Sequence, residues 1–150
     1  MVISSLNIGR ILELLRYLES CAQELRPFST MTKEDFLSDR KNPPFVESYL
    51  RRSLEVAFDI GRHILSKTYG FKEIEYKVIA KELGKRQVVT TELSNVLYKM
   101  AGYRNRMVHL YREVTPEELY DIMIHHLKDF DRFAKEIVAF MKAYKEKVRD

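Results

Sequence analysis

Cysteine is nearly missing from this 150-residue chain: Cys21 stands alone. One thiol excludes an internal disulfide and any zinc cage built on thiolates, and it points to a reducing, cytoplasmic setting. Glycine (5) and proline (4) are also scarce, which leaves few positions where the backbone must turn or break. The apolar runs fall far short of a membrane span, so no membrane partner is expected. A leader peptide is not expected either, because charges begin at Arg10 and no small-residue cleavage site follows the first apolar stretch. No repeat, low-complexity tract or Gly/Ser linker divides the chain, so residues 1–150 are expected to form one domain.

What is present favours helices. Hydrophobic residues make up 45% and charged residues 32%, a balance suited to long helices with solvated faces. The net charge of +4 and a pI near 9.1 permit contact with nucleic acid without requiring it. Leu6, Ile11, Leu14, Leu18, Ala22 and Leu25 recur at helical spacing after Ser4 or Ser5, either of which is a suitable cap, and Pro27 should stop that helix. Thr32 should cap a short second helix through Phe36 and Leu37. Asn42-Pro43-Pro44 should open a long third one reaching about Lys67, with Gly70 as its exit. A short helix from about Ile74 to Leu83 should end at Gly84, and another should run from Thr90 or Thr91 toward Gly102. Thr115, Pro116 and Glu118 form a capping-box start for the last helix, whose apolar stripe continues to Tyr144. The expected class is all-α: an antiparallel helical bundle with short accessory helices.

Chemistry concentrates between Gly102 and Thr115, where Tyr103-Arg104-Asn105-Arg106-Met107-Val108-His109-Leu110-Tyr111-Arg112 reads as a segment linking two helices. On a regular helix Arg104 and His109 would lie about 140° apart, so they share no face. They converge only if the helix breaks between them or a second copy of the chain supplies one of them; both solutions fit a symmetric dimer. Metal-free RNA cleavage needs a base for the ribose 2′-hydroxyl, an acid for the departing 5′-oxygen and cations for the phosphoryl charge. Histidine titrates near neutrality and arginine offers a fork matched to phosphate.

The string Arg104-x4-His109-x-Tyr111 resembles the RX4HXY motif of the HEPN superfamily, in particular the HepT-like toxin ribonucleases. Asn105 and Arg106 fill the opening typical of that group. Leu54–Ile60, Lys33–Leu37 and Thr115–Leu119 are similar to three of its helical segments in the same order. Two features depart from it, Gly61-Arg62-His63 and the Asn42-Pro43-Pro44 break, and neither touches the motif. The resemblance implies a homodimer with paired Arg104 and His109 at its interface, and metal-independent endonucleolytic cleavage of RNA, either tRNA or mRNA. It also implies a toxin role opposed by a minimal nucleotidyltransferase antitoxin that transfers AMP to Tyr111. A bulky anion two residues from His109 would repel the RNA phosphate. The alternative is a catalytically inert HEPN dimer that binds a nucleotide or a protein partner.

Around this core of the site, Arg106 and Arg112 either grip the RNA backbone or are exposed arginines without a specific role. Glu55 and Asp59 share a helical face and either orient Arg104 or His109 or form an ion-paired surface. Tyr103 is expected to pack. Lys81, Lys85 and Arg86 form a solvated helix end or a peripheral RNA contact. His63 and the pair His125-His126 invite a metal assignment, but adjacent helical histidines diverge by about 100°. No metal and no cofactor are expected.

Overall fold

A computed structural model describes residues 6–109 and 113–149, with side chains through Lys145. It contains six helices: α1 (Ile8–Ser29), α2 (Lys33–Ser38), α3 (Asn42–Tyr69), α4 (Tyr76–Lys85), α5 (Thr91–Val108) and α6 (Pro116–Arg149). None among the described residues is long and apolar enough to cross a membrane.

The long helices α1, α3 and α6 pack on one another, and the α4–α5 hairpin leans on α3. Contacts fix the directions. Near one end of the bundle the Asn7 N–H donates to His63, and the Leu6 N–H to the Tyr144 hydroxyl; toward the other end Phe28 meets Phe45. α1 is therefore antiparallel to both α3 and α6. α5 is antiparallel to α6, since Arg132 pairs with Glu92 near one end and Arg106 with Glu118 near the other. One apolar core, including Ile11, Phe36, Phe58, Ile64, Leu97, Phe130 and Phe133, runs through these layers.

Three of the expected caps are made. The hydroxyls of Thr32, Thr90 and Thr115 accept from the backbone N–H groups of Asp35, Leu93 and Glu118. The start of α1 differs: Asn7 is the cap, accepting from the Arg10 N–H, and Ser4 and Ser5 lie outside the described residues.

Three expected stops are overrun. Pro27 sits inside the last turn of α1, where Phe28 packs against Phe36 and Phe45. Ser29 and Thr30 there donate to the Arg26 and Pro27 carbonyls, so tertiary packing and local hydroxyl bonds outweigh the missing N–H. Gly102 lies within α5. Gly84 lies within α4, which ends one residue later at Lys85, with the Val88 N–H bonded to the Leu83 carbonyl and that of Gln87 to Gly84. Gln87 carries the left-handed conformation at φ 58°, the place a glycine would normally take.

Gly84 is required for another reason. A Cβ there would lie 2.5 Å from Ser94 Oγ and 2.6 Å from Ser94 Cβ, so the glycine lets α4 and α5 touch. Gly61 does the same between α3 and α4, where a Cβ would meet Leu83 Cδ1 at 2.8 Å. The close approach at Gly61 brings α4 down onto α3, and Tyr76, the first residue of α4, stacks on Phe58 with ring centroids 4.6 Å apart.

Candidate active site

The first part of the motif, which sequence reading placed in a linker, occupies the end of α5. Arg104, Asn105 and Arg106 are helical, the helix stops at Val108, and His109 is its extended cap at φ −97° and ψ 113°. The break required for Arg104 and His109 to leave their opposed helical faces thus falls immediately before His109. His109 is exposed, and its N–H donates to the Arg106 carbonyl at 3.3 Å. Tyr111 and Arg112 lie outside the described residues.

Arg104 points toward α3 and α4. Its guanidinium lies 4.6 Å from the centroid of the Tyr76 ring, and its Nη2 donates to Glu55 Oε2 at 3.3 Å. Nη1 reaches Asn105 Oδ1 at 3.5 Å, while the buried Nε has no partner. The side chain remains 25% exposed, so the ring and the carboxylate fix its direction while leaving donor capacity for an anion. Glu55 is itself held: its Oε1 accepts from Arg51, which also donates to Glu47.

Asp59, one turn further along α3, pairs with Arg62 at 3.1 Å. Burial pushes the Asp59 carboxyl above the usual range, against the lowering pull of Arg62 and the smaller ones of Arg10 and Arg104. Burial likewise raises the Tyr76 hydroxyl, with Arg104 opposing. Of the two readings of the Glu55–Asp59 face, Glu55 makes the contact to Arg104, and Asp59 turns to Arg62.

Arg106 goes elsewhere. Two positions on from Arg104, it lies about 200° around the helix and faces α6. Its two terminal nitrogens take both oxygens of Glu118, one at 2.8 Å, and Nη2 also donates to the Glu113 carbonyl. The hydrogen bonds hold the Glu118 carboxyl below its ordinary range. The expected capping box is accordingly half made: the Glu118 N–H reaches Thr115, but the Glu118 carboxylate is committed to Arg106. Arg106 therefore acts as a brace across the segment that carries His109, and an RNA-gripping role would have to break that fork.

Among the other residues singled out, Tyr103 packs into the core, 5.7 Å from the His126 ring. His126 is buried and bonded to Asp129; burial holds it below the ordinary imidazole value, while Asp129 opposes. No group of three His, Cys, Asp or Glu side chains suited to a metal occurs among the described residues. Arg86 folds onto Glu82 and Tyr69, and Lys81 lies over Tyr98, so that basic run is largely engaged within the protein. Sequence reasoning passed over Tyr76. Nothing in its local pattern marks a ring that supports an arginine 28 positions away.

Comparison with known proteins identifies the family of the chain. A family model described as Ribonuclease HepT-like matches residues 18–137. The tRNA nuclease HepT of Aphanizomenon flos-aquae is 30% identical over 136 residues, 90% of each chain. The mRNA nuclease HepT of Shewanella oneidensis is 33% identical over 91 residues, 60% of this chain and 68% of that one. Among solved structures, a tri-AMPylated HEPN toxin of Shewanella oneidensis in complex with an MNT antitoxin superposes with a TM-score of 0.77 at 26% identity, covering 86% of this chain and 96% of that chain. By sequence and by fold, the chain belongs to the HepT-like ribonuclease family.

Proposed function

We propose that this chain is the toxin of a toxin–antitoxin pair, an endoribonuclease that cuts RNA in the cytoplasm with Arg104 and His109 as its catalytic residues. The observation that carries the reading is the end of α5. An arginine is held against Tyr76 and Glu55 with a quarter of its side chain exposed, and the helix ends where the motif histidine begins.

In this reading Arg104 binds the scissile phosphate and stabilises the charge that builds on its oxygens. A histidine takes the proton from the ribose 2′-hydroxyl, whose oxygen bonds to phosphorus as the P–O5′ bond breaks. A second histidine protonates the leaving oxygen, giving a 2′,3′-cyclic phosphate and a 5′-hydroxyl. One chain carries one His109, so a homodimer with the two α5 ends facing each other supplies both roles. Glu55 and Tyr76 are positioning residues that set the direction of Arg104. The chemistry asks nothing of a metal ion, since acid, base and cation all come from side chains.

Regulation follows the relative solved with AMP attached and an MNT antitoxin bound. A nucleotidyltransferase antitoxin would join the α-phosphate of ATP to the Tyr111 oxygen, releasing pyrophosphate and placing an anion beside the RNA site.

An RNA-cleavage assay with EDTA present tests the reading. Wild type freed of antitoxin cleaves RNA, whereas Arg104→Ala and His109→Ala lose cleavage yet fold. Equal activity in all three, or none in wild type, overturns it in favour of an inert nucleotide- or partner-binding dimer. With the antitoxin and ATP, intact mass should rise in AMP-sized steps, and Tyr111→Phe should abolish the rise.

A further inference from the structure

Beside the Arg104 site runs a groove of about 430 Å³, bounded by the start of α1, the end of α3 and the segment 72–74. Arg10, Arg62, Lys67 and Lys72 line it, against two carboxylates, Asp59 and Glu73. Asp59 pairs with Arg62, whose pull opposes the rise that burial imposes on its carboxyl, and Arg10 reaches Glu13 at 3.5 Å, so Lys67 and Lys72 carry the excess positive charge of the groove. His63 also lines it; burial first, then Lys67 and Arg10, hold it below the ordinary imidazole value, and its Nε2 accepts from the Asn7 N–H. At the rim Ile74 is 81% exposed, an apolar side chain standing beside cations.

One ring links the lining of the groove to the candidate active site. The Arg62 guanidinium lies 5.9 Å from the Tyr76 centroid, and Arg104 lies 4.6 Å from the same centroid. Both arginines therefore border the Tyr76 ring, with Arg104 on the motif side and Arg62 in the lining of the groove. Arg62 also has a buried Nε without a partner.

We propose that this groove binds the RNA backbone flanking the bond to be cut, with Arg62 as the step between the scissile phosphate at Arg104 and the next phosphates at Arg10, Lys67 and Lys72. The inference rests on the ribonuclease reading and deepens it. Excess cations along a groove match the evenly spaced charge of a nucleic-acid strand, and the exposed Ile74 offers an apolar surface to a base. The contacts are to phosphate, so they extend affinity and set the path of the strand without selecting sequence.

The test uses the homodimer with Arg10→Gln, Lys67→Gln and Lys72→Gln together, sparing Arg62 so that Asp59 keeps its partner. Binding is read by anisotropy of a labelled single-stranded RNA of roughly twenty nucleotides on a His109→Ala background, and cleavage by KM for that RNA and for a dinucleotide. Affinity for the long RNA should fall about tenfold at low salt, and each lost phosphate contact should flatten the dependence of log affinity on log salt by about 0.7. KM for the long RNA should rise much more than KM for the dinucleotide. Lys72→Glu alone should weaken long-RNA binding in the same direction, which guards against misfolding of the triple variant. Unchanged affinity and salt slope overturn the proposal, as does loss of antitoxin binding with RNA binding intact. If wild type fails to cleave while the triple variant still loses RNA binding, the groove stands and the ribonuclease reading falls.

Discussion

Replacing Gly84 with alanine probes the contact that holds the α4–α5 hairpin together. The new Cβ would lie 2.5 Å from Ser94 Oγ and 2.6 Å from Ser94 Cβ. Rotating the Ser94 hydroxyl away does not relieve the second overlap, so the helices must separate by a substantial fraction of an ångström. Overpacking of this kind costs roughly 1–3 kcal/mol. Separation also loosens the buried bond from Ser94 Oγ to the Ala80 carbonyl, 2.7 Å long, and a buried hydroxyl left without an acceptor costs about 1–3 kcal/mol. Against these stands the better helix propensity of alanine, about 1 kcal/mol. The net is a loss of about 1–5 kcal/mol, and at a central value of about 3 kcal/mol the melting temperature falls by roughly 6–12 °C for a chain of this size. Thermal unfolding followed by circular dichroism measures it, and a cycle with Ser94→Gly isolates the contact. Gly84→Ala should cost much less on the Ser94→Gly background than on wild type. A Gly84→Ala protein that melts at or above the wild-type temperature, or costs that simply add, would refute the close-contact account.

Gln87→Gly should raise stability by about 1 kcal/mol, because the left-handed backbone at that position is strained for glutamine; an unchanged chemical-denaturation midpoint would count against it. Glu55→Gln removes one direction-setting contact of Arg104, a half-exposed pair worth about 1 kcal/mol at most, so single-turnover cleavage should slow about fivefold or less with little change in melting. A loss as complete as that of Arg104→Ala would instead put Glu55 in the proton transfer itself. Stability should fall as pH drops below about 6.5, because His63 and His126 are both held below the ordinary imidazole value, and the unfolded chain then binds protons that the folded one resists. The contribution is fully present above that pH, and a His63→Gln, His126→Gln protein should show a flatter melting profile between about pH 7.5 and 5.5.

Helix beginnings were legible in the sequence where a hydroxyl could serve its own backbone, as at Thr32, Thr90 and Thr115. Of the helix ends, Gly70 was legible, since it closes α3 in the left-handed conformation that glycine tolerates; the others were not, because what decides them lies far away in sequence. Pro27 is carried by the packing of Phe28 on Phe36 and Phe45, and Gly84 answers to Ser94 on the next helix. The same division holds at the site. Arg104 and His109 stand out by residue type and spacing, and helix geometry demands either a break between them or a second copy of the chain; the break falls after Val108. The fate of the two nearby arginines does not. Arg104 meets Tyr76 and Glu55, while Arg106 meets Glu118, and only the packing of α5 between its neighbours sorts one from the other.

The brace from Arg106 to Glu118 has a consequence for how such a chain can diverge. It ties the last turn of α5 to the first turn of α6, so the two ends of the connection carrying His109 and Tyr111 are anchored independently of what lies between them. Because loop-closure entropy grows slowly with length, residues can be gained or lost inside that connection with little effect on the bundle. Substrate choice and susceptibility to an antitoxin can then drift in evolution on a scaffold that stays the same, and a lineage that retains the brace keeps the freedom to rewrite the segment it spans.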